Sequence, residues 1–379
     1  MRIGIDARFF GPVGKGLGRY TERLIENLER IAGEHEFVVF LRKENFDLYR
    51  PSSPRFRKVL ADFRWYSLSE QLLFPPLILR ERIDLMHFPH FNLPVLTPCP
   101  FVVTIHDLIL LRYPTRRATT LNAAVYAVKY AGYRAVIMLA AWRARKIITV
   151  SEYTKREIVR ELGVGPERVA VTYEASDGVE AGQLTIPGTV DLKSKGIERP
   201  FFLYVGNAYP HKNLERLISV FRRLRESGLD AQLVLVGKMD YFYGRLMDEA
   251  SASGLLGRND VIFYGYAEEA ELAELYRQAR AYVFPSLLEG FGLPPLEAMR
   301  YGTPVAAADS SCLPEILEDA AVYFDPERDD DIARAMREVF DDQALRSRLS
   351  ERGRERVGRF SWADCAKRTY GIYLTSLRS

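Results

Sequence analysis

Glu289 and Glu297 lie eight positions apart in LLEGFGLPPLEAMRYGTPV, Leu287 to Val305, with Gly290, Phe291, Gly292, Leu293 and two prolines between them. Carboxylates accept hydroxyl protons, and glycine lets a ligand approach backbone N–H groups closely. AYVFPS before them reads as a strand and its exit, and LEAMRYG as a helix ending at Gly302. The turn between the glutamates therefore feeds a helix N-terminus, where N–H groups and the helix dipole favour an anion. Taken singly, either glutamate reads as a surface or helix-stabilising residue, but that explanation requires neither both glycines nor the proline pair.

Three further stretches carry chemically useful side chains. In VGNAYPHKNLERL (205–217) a strand ends at Gly206, Asn207 and His211 follow, and Lys212 stands at the mouth of a helix beginning near Asn213. A lysine fixed there meets phosphate oxygens as a compact charge, whereas an exposed loop lysine is the plainer reading. His211 is expected neutral near pH 7, given an ordinary pKa of about 6.5. In VVTIHDL, His106 and Asp107 leave a strand at its carboxyl end, the edge where open α/β sheets bind ligands. A strand-end histidine is more often structural. ARFFGPVGKGLGRY places Gly11, Gly14, Gly16 and Gly18 after the first strand, yet fits neither GxGxxG nor a P-loop. A flexible connection into a helix is its plain reading.

The elements that must position these residues form two series. IGID (3–6), FVVFL (37–41), LMHF (85–88), FVVTI (101–105) and KIITV (146–150) alternate with helical stretches, among them Gly18 to Ile31 and SEYTKREIVREL, with Ser151 as its N-cap. FFLYV (201–205), QLVLV (232–236), VIFY (261–264), AYVF (281–284), PVAAA (304–308) and AVYF, ending at Phe324, form the second series. Unalternated apolar runs suit parallel strands covered on both faces. Residues 178–200, rich in glycine, proline and charge, break the rhythm as an interdomain passage. The expectation is an α/β chain of two doubly wound domains, 1–190 and 197–360, facing a central cleft.

With 379 residues the chain exceeds the roughly 250–300 that one core supports. A net charge of +3, with arginines scattered among glutamates, gives no reason to expect nucleic acid. Cys99, Cys312 and Cys365 lack metal spacing, and their odd, sparse count suits a reducing, cytoplasmic setting. MRIGIDA reads as a strand from its second residue, so no signal peptide is expected. Lys129 and Arg134 interrupt the apolar run Leu121 to Trp142, which favours a buried or surface-lying helix over a membrane span. ADFRWYSLSEQLLFPP (61–76) and LRYPTRRATTLNAAVY (111–126) mix aromatics with arginines. Such surfaces suit a peripheral contact on the inner face of a membrane, or equally an ordinary core under an arginine rim. Asp329-Asp330-Asp331 is the near match to a DxD metal motif, but it opens a helical segment, where capping explains it better. No metal and no cofactor are expected.

EGFGLPPLEAM followed by GTPVAAADSSCLPEILEDAAVYFDP resembles the donor-site signature of the retaining GT-B glycosyltransferases of the GT4 type. HDL with RYP (Arg112 to Pro114) resembles the bacterial mannosyltransferase subgroup. The resemblance implies two Rossmann-like domains, with the final helix, 361–379, crossing back to the first. It implies that Glu297 binds the ribose of a sugar nucleotide, that Glu289 faces the donor sugar, and that the amides of Phe291, Gly292 and Leu293 cradle sugar and diphosphate. Lys212 matches the family's diphosphate lysine; His211 or Asn207 stands where a second donor is expected, beside Gly206. Gly16 is implied to approach the donor or acceptor, His106 to contact the sugar, and the backbone at Gly265-Tyr266 to lie near the base. Transfer of mannose from GDP-mannose to a glycan or lipid-linked glycan follows as the expected function. A UDP-sugar donor, a nucleotide-sugar epimerase or hydrolase, and a catalytically silent binding protein remain the alternatives.

Overall fold

The computed structural model describes residues 1–31, 33–115, 122–176 and 190–378. The passage expected at 178–200 lies outside the described residues as far as 189, as do residues 116–121 of the stretch 111–126. The chain divides into two units, Met1–Glu174 with Ser361–Ser379, and Ala175–Phe360.

Unit 1 carries β1 (Arg2–Asp6), β2 (Glu36–Leu41), β3 (Phe56–Leu60), β4 (Leu85–Phe88), β5 (Phe101–Thr104), β6 (Lys146–Thr149) and β7 (Val169–Val171). They form one parallel sheet in the order β3-β2-β1-β4-β5-β6-β7. Its helices are α1 (Lys15–Ile31), α2 (Leu68–Arg80), α3 (Ile109–Arg112), α4 (Ala123–Arg143), α5 (Glu152–Leu162) and, from the far end of the chain, α13 (Trp362–Arg378). Phe74 and Ile78 of α2, Ile137 and Ala140 of α4, and Ile158 of α5 bury against Phe88, Phe101, Val103 and Ile147 of the strands. On α13, Tyr373 reaches His87 of β4, its hydroxyl 2.6 Å from Nδ1. Ser151 caps α5, accepting from Thr154 N–H at 3.1 Å.

Unit 2 carries β8 (Phe201–Val205), β9 (Gln232–Val236), β10 (Val261–Gly265), β11 (Ala281–Phe284), β12 (Val305–Ala308) and β13 (Ala321–Phe324). Again all pairs are parallel, in the order β10-β9-β8-β11-β12-β13. Its helices are α6 (Leu214–Glu226), α7 (Tyr241–Ala252), α8 (Glu269–Gln278), α9 (Leu293–Arg300), α10 (Leu313–Leu317), α11 (Asp329–Asp341) and α12 (Gln343–Val357). Both units are thus Rossmann-like α/β layers.

Strands β3 and β7 and helix α2 are among the additions to the sequence reading. β3 (FRKVL) and β7 (VAV) lie at opposite edges of the first sheet, where one flank has no partner strand and a charged or very short strand is stable. Helix α2 contains Pro75 and Pro76 yet continues through them, capped by Ser67. The glycine segment is also more regular than a flexible connection: α1 begins at Lys15, so Gly16 and Gly18 are helical.

Candidate functional site

The strand order of the second sheet reverses between neighbouring β8 and β11, so the loops leaving those strands turn away from each other there. Open parallel sheets take ligands beyond their strand ends at such a point. One loop runs from Gly206 through a single 3-10 turn, Pro210–Lys212, into α6; the other runs from Pro285 through Glu289 into α9. Asn213, at φ 61, makes the turn into α6 in a backbone region that asparagine tolerates better than most residues. Its side chain donates to the Pro326 carbonyl at 2.8 Å.

Two bonds tie the loops together. Leu287 N–H donates to the His211 carbonyl at 2.8 Å, and Lys212 Nζ donates to Glu289 Oε1 at 2.5 Å. The Lys212 and Glu289 side chains are only 13% and 9% exposed, so their attraction is screened far less than that of a surface pair. An ammonium has three N–H groups, and Glu289 takes one of Lys212's. Glu289 is held in turn from its backbone, whose N–H donates to Ser311 Oγ at 3.1 Å. Burial and the neighbouring Lys212 charge push the pKa of His211 down to about 4, which leaves it neutral near pH 7.

Gly292 enters α9 at φ 91, and a Cβ there would stand 2.8 Å from Leu313 Cδ2. Pro294 and Pro295 have no N–H, so the first-turn amides of α9 belong to Leu293 and Leu296. Phe291 is buried edge-on against Phe360 with ring centroids 5.5 Å apart, which fixes the turn that carries Gly290 to Leu293. One helical turn on, Glu297 accepts from Tyr276 OH at 3.2 Å, and Tyr276 stacks on Tyr301.

Gly206 is held by neighbours at the end of β9. A Cβ on Gly237 would lie 2.1 Å from the Gly206 carbonyl oxygen, and Tyr243 OH sits 2.9 Å from that same oxygen. Asn207 is exposed, its Oδ1 accepting from Tyr209 N–H at 3.3 Å. Tyr266, 80% exposed, follows Gly265 at the end of β10. Unit 2 therefore gathers Gly206, His211, Lys212, Glu289, Phe291, Gly292 and Leu293 around one strand reversal.

His106 and Gly16 belong to unit 1. His106 Nδ1 lies 3.0 Å from Glu174 Oε1, and Nε2 lies 2.9 Å from the Pro89 carbonyl. Both partners are acceptors, so the ring makes both bonds only when doubly protonated. Burial opposes that charge, but Glu174 and Pro89 outweigh it and raise the pKa above its ordinary value. Gly16 is exposed, and a Cβ there would meet nothing within 4 Å. Packing instead requires Gly14 and Gly18, whose Cβ atoms would stand 2.1 Å from the Phe9 carbonyl oxygen and 2.0 Å from that of Gly11.

The first sheet reverses between β1 and β4, and the structure places there a cluster that sequence reasoning missed. Fully buried Arg8 donates to both oxygens of Asp6 at 2.7 Å and to Glu70 at 2.6 Å, while Asn92 donates to the same Glu70 oxygen at 2.7 Å. Asp-x-Arg at a strand exit was the available signal; Glu70 and Asn92 are too distant in sequence to have been found. In unit 2, Ser286 at the exit of β11 was likewise missed: its buried Oγ has no hydrogen-bond partner among the described residues.

The triplet Asp329 to Asp331 occupies the first turn of α11, where acids complement the helix dipole; the N-cap position itself is Arg328, and Asp331 accepts from Asp325 N–H at 2.7 Å just before the helix. Asp330 pairs with Arg223 at 2.6 Å, Asp329 with Arg216 at 3.4 Å and Asp331 with Arg334 at 2.7 Å. Among the described residues no group of three or more His, Cys, Asp or Glu side chains is placed to hold a metal ion.

Comparisons with known proteins divide the chain at the same place. The model described as Glycosyltransferase Family 4 matches residues 14–177, and the one described as Glycosyl transferases group 1 matches residues 191–356. O-antigen chain mannosyltransferase B of Escherichia coli is 28% identical over 386 residues, covering 94% of this chain and 95% of that protein. An O-antigen chain mannosyltransferase of Salmonella typhimurium is 28% identical over 84% of this chain and 85% of its own length. Among solved structures, HepE of Anabaena in complex with UDP and glucose aligns with a TM-score of 0.74 over 99% of both chains at 16% identity. Sucrose-phosphate synthase from Thermosynechococcus elongatus aligns at 0.73 over 99% of this chain and 98% of its own, at 22% identity. With the two family models covering its two halves in turn, the chain belongs to the GT4-type glycosyltransferases of GT-B fold.

Proposed function

We propose that the chain transfers mannose from GDP-mannose to a glycan or lipid-linked glycan, with retention of anomeric configuration and without a metal or cofactor. The observation that carries the reading is the Lys212–Glu289 pair at the strand reversal of the second sheet. It sets a cation for a diphosphate beside a carboxylate for sugar hydroxyls, next to the α9 N-terminus. The two mannosyltransferase relatives favour the sugar. Glu297, one turn into α9, serves the ribose hydroxyls.

In the reaction the bond between the anomeric carbon and the diphosphate oxygen breaks, and the acceptor hydroxyl oxygen bonds to that carbon. The acceptor's proton passes to the departing phosphate on the same face of the sugar. Lys212 and the amides at 291–293 stabilise the charge that builds on the diphosphate. Glu289 and Glu297 are not paired as the acid and nucleophile of a glycosidase, a scheme that needs two carboxylates about 5–5.5 Å apart across one bond. Arginine pairing of Asp329, Asp330 and Asp331 supports the metal-free reading. The three cysteines are free, which suits a cytoplasmic setting.

Calorimetric titration with GDP, UDP and ADP, each with EDTA present, tests the reading. Preferential GDP binding supports it, UDP preference removes the mannosyl assignment, and activity that vanishes in EDTA and returns with magnesium or manganese removes the metal-free site. Binding by none of the three overturns the donor site itself.

A further inference from the structure

Unit 1 leaves an unusual amount of apolar side chain in solvent. Leu68 and Leu72 of α2, Leu96 of the loop after β4, and Val128 and Trp142 of α4 keep 70–79% of their surface exposed. They do not scatter. On α4, Val128, Ala131, Ala135, Met138 and Trp142 are all exposed and recur at spacings of three and four, which puts them on one stripe of the helix. The opposite stripe, Ile137, Ala140 and Ala141, enters the core. The helix is therefore apolar on its outer side as well as its inner one. On α2, Leu68, Leu72, Pro76 and Leu79 form a second outward stripe at spacings of four, four and three.

The loop after β4 bridges the two stripes. Gln71 of α2 accepts from Val95 N–H at 2.8 Å, and Arg143 of α4 donates to the Val95 and Thr97 carbonyls. Leu96, between those anchors, is itself exposed, so the loop tied to both helices carries their outward apolar character. Surfaces of this kind on a chain in water mark an interaction site.

The charges on these helices decide what covers it. Arg80, Lys129 and Arg134 are the exposed charged residues on α2 and α4. The single acid on either helix, Glu70, is buried against Arg8. A second copy docking by the same face would oppose cation to cation, whereas an anionic lipid surface attracts the cations and dissolves the apolar stripe. No helix of the described residues is long and apolar enough to cross a membrane. We propose that the α2–α4 face of unit 1, from Leu68 to Leu79 and from Val128 to Trp142 with Leu96 between them, docks the protein on an anionic membrane. The acyl region takes the leucines, Val128, Met138 and Trp142, while Lys129, Arg134 and Arg80 meet lipid phosphates. The inference is independent of the donor site, which lies in unit 2.

The test is co-sedimentation of the full chain with vesicles of phosphatidylcholine alone, or with about one-third phosphatidylglycerol. Binding to the anionic vesicles is expected to weaken with added salt. It should fall by about tenfold or more in Lys129→Glu/Arg134→Glu and in Val128→Asp/Trp142→Ala, since a surface cation and a buried apolar side chain each contribute severalfold. Melting temperature and GDP binding should stay at the parent values in both variants, which separates docking from folding and from the donor site. No binding at low salt overturns the proposal. Equal binding to neutral and anionic vesicles overturns its electrostatic half. Concentration-dependent self-association that the same variants abolish overturns the lipid assignment in favour of a second copy.

Discussion

At the level of single residues the Lys212–Glu289 pair carries the most consequence. Removing the cation by Lys212→Ala strands a largely desolvated carboxylate, at a cost of about 3 kcal/mol of stability, and withdraws the charge proposed to meet the diphosphate. Activity is expected to fall on the order of a hundredfold or more, with a lower melting temperature. Glu289→Gln keeps an acceptor for Lys212 but removes its counter-charge, so activity should fall and the melting temperature should drop by less than in Lys212→Ala. Thermal melts beside donor titrations read both. If Lys212→Ala binds GDP as the parent does, the lysine does not meet the diphosphate. The type of each of these residues, and the loop each sits in, was legible in the sequence. Their mutual bond was not, because it spans 77 positions and depends on two strand exits meeting at one reversal. His106 shows the same gap: its place at a strand end is readable, but the Glu174 and Pro89 acceptors that hold both ring nitrogens come from other loops.

At the level of elements, the glycines that position the site are testable one at a time. Gly237→Ala would force its methyl against the Gly206 carbonyl, a backbone group that cannot rotate away, so the loop after β8 must shift. Donor affinity should drop before global stability does. Gly292→Ala combines a left-handed backbone with a clash at Leu313, costing about 1–2 kcal/mol from the backbone alone. Gly16→Ala is expected to leave the melting temperature unchanged, since nothing lies within 4 Å of its Cβ, while Gly18→Ala should lower it sharply. Equal behaviour of these last two variants would contradict the packing described for the start of α1. Strands such as FVVFL, FFLYV and QLVLV were readable because burial on both faces demands unbroken apolar runs. β3 and β7 escaped because an edge position relaxes that demand, and α2 because two prolines inside a helix contradict the usual breaker rule.

At the level of the whole molecule, histidine burial sets an acid limit. Burial lowers the pKa of His87 to about 3, and burial with the Lys212 charge lowers that of His211 to about 4. Unfolded, both take a proton near pH 6.5, so their neutral forms favour folding above that value. As pH falls below about 6.5, each group should cost about 1.4 kcal/mol of stability per pH unit until its folded pKa is reached. His106 runs the other way, its contribution present at low pH and lost as pH rises through its raised pKa. Denaturant unfolding from pH 7 to 4 should show the steep loss, and His87→Gln should flatten it. An unchanged slope in that variant would remove His87 from the account.

Unit 1 is assembled from two separated lengths of chain, with unit 2 inserted before α13. During translation the ribosome therefore releases all of Ala175–Phe360 while the first sheet still waits for its last helix. Until α13 emerges, His87 lacks the Tyr373 hydroxyl that meets its ring, and the face of β4, β5 and β6 that this helix covers stays wet. The unit whose synthesis starts first is thus the one completed last, and a nascent chain stalled before Ser361 should hold a finished unit 2 beside an open unit 1.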